Sequence, residues 1–307
     1  MNMLIKNNLK NKLLILNEKK YVEQILNDEN YLLTNNYFNN LVLIARYYFI
    51  LNGDKTKTRE SLISFLKSHY PKYDEKCLKT VDKIIEKYCT EKLQEINEIS
   101  ISKKEIEMIE SVESIDGLTA TKLKAAQRLL FVILVFGKWQ KLRNEKNKKG
   151  WCNLNSLEIL AAARVTKDNI NLLAAMYDAG LIEHQESFGD NCHATFIDEE
   201  NTAQIHITDL RELGYQWNKY KGDNFIECKK CGLTVKINSS HNGYCKDCYS
   251  MKDMTVARCV GCGSLFVKGK RAAIKKYCDC CQIVRNQEAK ARYKSKKVKS
   301  DEAQEVA

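Results

Sequence analysis

Cys228-Lys-Lys-Cys231-Gly232 is followed, 13 residues after Cys231, by Cys245-Lys-Asp-Cys248. Ten residues on comes Cys259-Val-Gly-Cys262-Gly263, and 15 residues after Cys262 comes Cys278-Asp-Cys-Cys281. Each Cys-x-x-Cys turn aims two thiolates at one point, so two turns can close a tetrahedron around zinc. Four such hooks in succession predict two zinc ions, one held by Cys228, Cys231, Cys245 and Cys248, the other by Cys259, Cys262, Cys278 and Cys281. Cys280 is left over; it either replaces Cys278 or Cys281 as a ligand or stays a free thiol. The competing reading, two disulfide-stapled loops, needs an oxidising compartment, and the rest of the chain argues against one.

The two halves repeat. Cys228 to Gly232 aligns with Cys259 to Gly263 at a spacing of 31, and Tyr244-Cys245 aligns with Tyr277-Cys278 at a spacing of 33. Gly232 and Gly263 sit where the chain must turn sharply while backbone N–H groups approach sulfur, and glycine permits the positive φ required. Val235 and Ile237 in one copy, and Leu265, Phe266 and Val267 in the other, predict a short strand leaving each hook.

The 307 residues suffice for two or three domains. The N-terminus has no uninterrupted apolar segment of signal-peptide length, and the longest apolar run, Leu129 to Phe136, is far too short to span a bilayer. The expected setting is therefore the cytoplasm of a bacterial host cell, where thiols stay reduced and bind metal. Lysine outnumbers arginine 40 to 10 and Asn and Ile are abundant, a bias of AT-rich coding seen in some Gram-positive bacteria and their phages. Charge is unevenly placed: residues 226–300 hold 18 Lys/Arg against 5 Asp/Glu, a surplus of +13, whereas residues 1–225 hold 32 against 31. A basic cluster of this density favours polyanions, chiefly nucleic acid, DNA or RNA. The expected contacts are Lys268, Lys270, Arg271, Lys275 and Lys276 around the second hook pair, then Arg285, Lys290, Arg292, Lys296 and Lys297 in the tail. That tail, Gln282 to Ser300, has no apolar stripe and reads either as a basic helix that forms on a polyanion or as a disordered segment.

Residues 1–112 read as helical. Asn35–Leu51 is apolar on most of its circumference and stops at Gly53; Thr58–Lys67 follows and ends near Pro71; Asp74–Asn97 is a third helix whose stripe takes in Cys77 and Cys89 as small core residues. Ser102-Lys-Lys-Glu105 is a capping box for a short helix to about Val112, and Asp116-Gly117 marks a break. Thr119–Arg143 reads as an amphipathic helix with Leu123, Ala126, Leu129, Leu130, Ile133, Phe136 and Trp139 inward. Ser156 is expected to cap a short helix and Thr166 another to about Asp178; strands at Leu181-Ile182 and Ala194–Ile197 flank a turn at Gly189-Asp190-Asn191, and a third strand covers Ala203–Thr208. Helix, helix, turn, helix and hairpin is the order of a winged helix-turn-helix. Its recognition helix offers only Lys167, Asn169 and Asn171 against Asp168 and Asp178, and its wing carries Glu183, Glu186 and Asp190. The domain is thus as well suited to scaffolding or protein contact as to DNA.

The expected fold is mainly α with a small winged-helix β-hairpin plus two tandem zinc ribbons, an α+β multidomain chain: a helical domain over 1–116, a winged helix over 117–222, tandem zinc ribbons over 223–282 and a basic tail over 283–307. The last third, with Lys-Lys-Tyr277-Cys278 leading into a basic helix, resembles the zinc-ribbon tails of uncharacterised proteins of Gram-positive phages and prophages. The stretch Phe196-Ile-Asp through Ile207-Thr-Asp-Leu-Arg-Glu-Leu-Gly214-Tyr is similar to the same group. The resemblance implies a mobile-element origin and zinc binding, and transfers no activity.

No phosphate-cradling glycine loop, His-Glu-x-x-His or nucleophile elbow is present, and His69, His184, His193, His206 and His241 are scattered. His241-Asn242 lies between two hooks, as in HNH-type nucleases, but the further His and Asn residues of such a site do not follow Cys248. Cys192-His193 has no evident partner. The chain is therefore expected not to be an enzyme. Two readings remain: a zinc-dependent, nucleic-acid-binding regulatory protein of a phage or mobile element, or a phage effector that binds a host protein complex, polymerase or defence machinery, through the winged helix or the helical domain.

Overall fold

The computed structural model of the chain describes residues 14–28, 31, 33, 37–70, 73–115, 117–185, 191–198, 202–237, 241–250, 255–263, 265–268 and 275–305. Its helices are α1 (Glu18–Asn27), α2 (Phe38–Asn52), α3 (Lys55–His69), α4 (Lys76–Lys87), α5 (Lys103–Glu110), α6 (Ala120–Arg143), α7 (Ser156–Ala162), α8 (Asn171–Asp178), α9 (Leu213–Tyr220), α10 (Lys246–Ser250) and α11 (Asp279–Glu305). The strands are β1 (Ile99–Ser102), β2 (Ile182–His184), β3 (Cys192–Ala194), β4 (Ala203–Ile207), β5 (Phe225–Glu227), β6 (Thr234–Lys236), β7 (Thr255–Arg258) and β8 (Leu265–Lys268). Among the described residues they pair two by two and antiparallel: β1 with β4, β2 with β3, β5 with β6, β7 with β8. The protein is mainly helical with small antiparallel sheets. It falls into two units, one of Val22–Lys92 with Ser250–Ala307 and one of Asn2–Tyr21 with Leu93–Tyr249.

In the first unit α2 buries Leu41 through Ala45 without a break. It stops at Gly53, which takes φ +65° and donates its N–H to the Phe49 carbonyl at 2.8 Å. Helix α3 starts at Lys55, ahead of the expected Thr58, because the Asp54 carboxylate accepts from the Lys57 N–H at 2.7 Å. Helix α4 is shorter than the 74–97 that apolar spacing predicts. It buries Cys77, Val81, Ile84 and Ile85, and Cys89 just beyond it is also buried. Past Lys92 the chain joins the second unit, where Glu95 forms a β-bridge with Asn17 and the Glu18 N–H donates to the Gln94 carbonyl at 2.8 Å.

The second unit is built around α6. Thr119 caps it, its hydroxyl accepting from the Lys122 N–H. Spacing alone predicts one inward stripe, but every residue from Leu129 to Phe136 is 0% exposed. The reason is that β1, α5, α7, α8, β3 and α9 all pack against this helix, so no side is left for water. Two close backbone approaches make that crowding possible. A Cβ on Gly137 would stand 2.5 Å from the Gly150 carbonyl oxygen, and one on Gly214 would collide with the carbonyl of Ala163. The core is continuous across position 116, where the sequence places a domain boundary: Ile99, Ile101, Ile106 and Ile109 share it with Leu129, Phe131 and Trp217. Ile99-Ser-Ile-Ser102, in a stretch expected to be helical, is a strand, with Ile99 and Ile101 turned inward at 1% and 0% exposure.

Ser102 and Glu105 form the expected capping box at the start of α5. Glu105 does more than cap. Its side chain is 0% exposed and accepts from the Lys138 ammonium on both oxygens at 2.8 Å, from the Ser102 N–H at 2.8 Å and from the Asp198 N–H at 2.9 Å. Lys138 also donates to the Asp198 carbonyl at 3.2 Å, and the Ser102 hydroxyl donates to the Asp198 carboxylate at 2.9 Å. One carboxylate therefore fastens β1, α5, α6 and the segment after β3.

Helices α7 and α8 follow a loop from α6. Asn155, not Ser156, caps α7, in a capping box with Glu158. A turn with Arg164 at φ +55° leads through a 3-10 turn at Lys167–Asn169 into α8. Thr166 occupies the cap of that 3-10 turn without a side-chain bond to the backbone. The hairpin pairs Ile182 with Ala194 and His184 with Cys192, so its second strand lies at Cys192–Ala194, slightly earlier than expected. The expected turn residues Gly189 and Asp190, like Glu186 and Pro71, lie outside the described residues. The third strand, β4, pairs with β1 rather than with the hairpin.

Removing one member of a buried, hydrogen-bonded charge pair leaves the other uncompensated, at a cost of about 3–5 kcal/mol. Glu105→Ala should therefore lower the stability of the second unit by about that much, while Glu107→Ala, on the exposed face of the same helix, should change it little. Denaturant unfolding followed by the fluorescence of Trp139 and Trp217 measures both; equal midpoints for the two variants would refute the role given to Glu105.

Candidate metal centres

The two cysteine quartets are built on one plan. In the first, β5 leads into Cys228 and Cys231, β6 leaves, and Cys245 and Cys248 lie at the start of α10. In the second, β7 leads into Cys259 and Cys262, β8 leaves, and Cys278 and Cys281 lie at the start of α11. The repeat extends to individual hydrogen bonds. Gly232 at φ +69° donates to the Cys228 carbonyl at 2.9 Å, as Gly263 at φ +72° does to Cys259 at 2.8 Å. The Cys245 N–H points at the Cys228 sulfur at 3.2 Å, as the Cys278 N–H points at the Cys259 sulfur at 3.3 Å. The Lys229 N–H meets the Gly243 carbonyl, and the Val260 N–H the Lys276 carbonyl, both at 3.0 Å.

Within each quartet, Cys228/Cys231/Cys245/Cys248 and Cys259/Cys262/Cys278/Cys281, the four sulfurs lie within 4.8 Å of one another. Cys231 and Cys245 are 3.8 Å apart and Cys262 and Cys278 3.7 Å. A tetrahedron with metal–sulfur bonds of about 2.3 Å has sulfur–sulfur edges of about 3.8 Å. The two clusters thus have the donor set and the size to hold a four-coordinate metal ion each. Burial raises the Cys228 thiol, but N–H groups of Cys245, Cys231 and Lys230 outweigh it and bring its pKa down to about 6. Cys259 is brought to about 6 in the same way, burial being outweighed by the N–H groups of Cys278, Cys262 and Gly261. Cys248 is raised, first by burial and then by the neighbouring sulfurs, and Cys281 is raised by Cys262, Cys259 and Cys278. Burial also raises Cys231, and Cys278 is raised against the pull of the Cys281 N–H by burial and the Cys262 and Cys259 sulfurs, so each quartet has one sulfur favoured as thiolate and two whose protons a metal must displace. Cys280 is exposed and takes no part in either quartet.

The surroundings differ. In the first quartet Cys228, Cys245 and Cys248 are buried, with Leu233, Val235 and Tyr244 packed against them. Helix α9 meets β5 and β6, with Tyr215 and Phe225 rings 4.8 Å apart. Arg211, paired with Asp209, donates to the Cys231 carbonyl at 3.0 Å, setting a cation beside a centre that would carry a net negative charge. In the second quartet Cys262 is exposed and Cys278 and Cys281 are half-buried.

Of the expected basic contacts, Lys268, Lys275 and Lys276 lie on the segments that carry the second quartet, and the others that are described lie along α11. The Lys268 and Lys275 ammonium groups lie 5.9 and 5.8 Å from the centre of the Phe266 ring, and Lys275 pairs with Asp279. Phe266 itself is buried, so it packs within its own module and is not open to a ligand. Arg285 lies over the Tyr277 ring at 4.3 Å and donates to its hydroxyl at 2.8 Å. Lys290 and Arg292 are exposed on α11, Arg292 3.9 Å from Glu288, and Lys296 and Lys297 fall on the same helix. Lys270 and Arg271 lie outside the described residues. The basic segment after the last hook is one continuous helix of 27 residues.

The histidines do not converge. His193 stands between the Ala194 carbonyl and Glu183, each at 3.0 Å, with Trp151 edge-on, and His206 meets Glu98 at 3.0 Å. Glu183, expected in the wing as a charge that repels phosphate, has its carboxyl held below the usual pKa by His193 and then by Lys149. Cys192 is buried 4.0 Å from the Cys152 sulfur, a proximity that nothing in the sequence signals. Among the described helices none is long and apolar enough to cross a membrane. No protein-family model matches the chain, and neither a curated protein nor a solved structure matches it.

Purified protein should carry two equivalents of metal, and Cys228→Ser or Cys259→Ser should reduce this to one. Because Cys262 is exposed and three ligands of the first quartet are buried, a chromophoric chelator should strip the metal in two phases. Cys259→Ser should abolish the fast phase and Cys228→Ser the slow one. A single phase in the unmodified protein would show the two sites to be equivalent.

Proposed function

We propose that the protein is a two-zinc, nucleic-acid-binding regulatory protein of a phage or mobile element, cytoplasmic and without catalytic activity. The observation that carries this is the joining of the second cysteine quartet to α11: positions 283–300 hold seven Lys/Arg and one Asp/Glu on a helix that starts directly after one of the quartet's cysteines, Cys278, and carries another, Cys281, in its first turn. Zinc is the ion of choice for four tetrahedral thiolates in a reducing compartment. When bound it supplies folding energy to modules whose strands are only three or four residues long. The two modules are then tandem zinc ribbons. Phosphates are met by Lys268, Lys275, Lys276, Arg285, Lys290 and Arg292, with Lys296 and Lys297 further along the helix.

In this reading α6, α7, α8 and the β2–β3 hairpin form a winged helix-turn-helix with α8 in the recognition position. Its exposed side is not suited to phosphate. Ile170 and Tyr177 are 42% and 51% exposed, seven residues apart on one side of the helix, and Leu157 on α7 is 40% exposed. That apolar side favours a second reading, in which the winged helix contacts a host protein complex and the chain acts as an effector.

Each phosphate neutralised releases condensed counterions, so log affinity falls linearly with log salt, by about 0.9 for each phosphate engaged on duplex DNA. Deleting residues 283–307 should weaken binding to DNA and RNA of any sequence and flatten that slope by about 0.9 for each phosphate no longer neutralised. Filter binding at several salt concentrations measures it. Unchanged affinity and slope in the truncated protein would show that α11 is not the binding surface, and a nuclease-resistant complex of defined composition from host lysate would then establish the second reading.

A further inference from the structure

We propose that the side of α11 running from Arg285 to Tyr293 is a stacking platform for unpaired bases, so that the ligand is single-stranded nucleic acid. The proposal rests on the nucleic-acid reading above and narrows it. Arg285 sits over Tyr277 with its guanidinium carbon 4.3 Å from the ring centre, and its hydrogen bond to the Tyr277 hydroxyl at 2.8 Å tethers it there. Tyr277 is in turn wedged into the second ribbon, where a Cβ on Gly261 would touch its ring at 3.4 Å. A guanidinium held in this way is a plane, and arginine planes stack on splayed bases as aromatic rings do. Two turns further along the same side stands Tyr293, 71% exposed. An aromatic ring that exposed contributes nothing to a core. Arg285, Glu288, Ala289, Arg292 and Tyr293 line one open depression. Within it Ala289 leaves the middle clear, and Glu288 is engaged by Arg292 at 3.9 Å.

The spacing suits a short stacked run. Eight residues of helix separate Arg285 from Tyr293, a rise of about 12 Å, close to three or four steps of about 3.4 Å along a strand. Lys290 is exposed within the same interval to meet phosphate. A helix that reads duplex DNA presents amides and guanidinium groups to base edges; this side presents the tethered Arg285 guanidinium, the Arg292–Glu288 pair, an alanine and an exposed phenol. Flat and apolar surfaces within a basic helix suit bases whose faces are open.

The test uses the full-length zinc-loaded protein, a poly-dT 20-mer, a poly-rU 20-mer and a 20-base-pair duplex at one salt concentration, with metal content and helical circular dichroism confirming that each variant is folded. Single strands should bind more tightly than duplex. Tyr293→Ala should weaken single-strand binding about tenfold with an unchanged salt slope, and leave duplex binding as it was, while Tyr293→Phe should retain full affinity. Arg285→Lys, which keeps the charge and loses the plane, should behave like Tyr293→Ala, and Lys290→Ala should weaken strands and duplex alike and flatten the slope. Equal affinity for strands and duplex, unmoved by Tyr293→Ala, would overturn the platform while leaving nucleic-acid binding intact. No binding to any of the three at low salt would overturn the nucleic-acid reading itself, and the platform with it.

Discussion

The carboxylate of Glu105 is enclosed by protein and receives the Lys138 ammonium together with the backbone N–H groups of Ser102 and Asp198. A charge removed from water has to be matched where it lies, and one arrangement of β1, α5, α6 and the segment after β3 supplies all of these donors at once. That arrangement lets α6 run through the middle of its unit with every residue from Leu129 to Phe136 out of contact with solvent. The strand pair β1–β4 then closes over it, and α9 lies along it with Trp217 against Phe131, ring centres 5.1 Å apart. From α9 the chain passes directly into the first cysteine module, which is therefore seated on a surface that the buried ion pair has already fixed.

What can be read from the sequence is local. Cysteine hooks, the glycine after each first hook, the Ser102–Glu105 capping box and the stop at Gly53 are decided by residues within a few positions of one another, and all four stand as expected. Non-local features are harder to read. The alternation Ile99-Ser-Ile-Ser102 is a visible strand signal, but four residues without a known partner compete poorly with helical surroundings; the partner is β4, about a hundred residues away. The extent of α4 is set by pairing of the following segment with Asn17 and Glu18. Lys138 reads as one of a run of surface cations, because nothing at its own position reveals that Glu105 will be brought to it. The cap of α7 lies one residue before the position expected, Asn155 and Ser156 being equally good caps in sequence.

The two cysteine modules show one plan in two settings. Backbone turns, N–H to sulfur contacts and positive-φ glycines are shared bond for bond, which is what a four-thiolate site demands of any chain. The differences lie outside that requirement. The first module gains an arginine, an apolar surround and a short final helix that ends at Ser250. The second keeps Cys262 exposed, carries a leftover thiol at Cys280, and lets its final helix continue.

That continuation has a mechanical side. With 27 residues, α11 extends for about 40 Å, and two sulfurs of the quartet that would mount it sit at its start, Cys278 just before the first turn and Cys281 within it. It is a lever clamped at one end. A tilt of about 10° at the clamp would carry the far tip through about 7 Å over that length, so small differences in how the four sulfurs close would be read out as large displacements of the helix's outer turns.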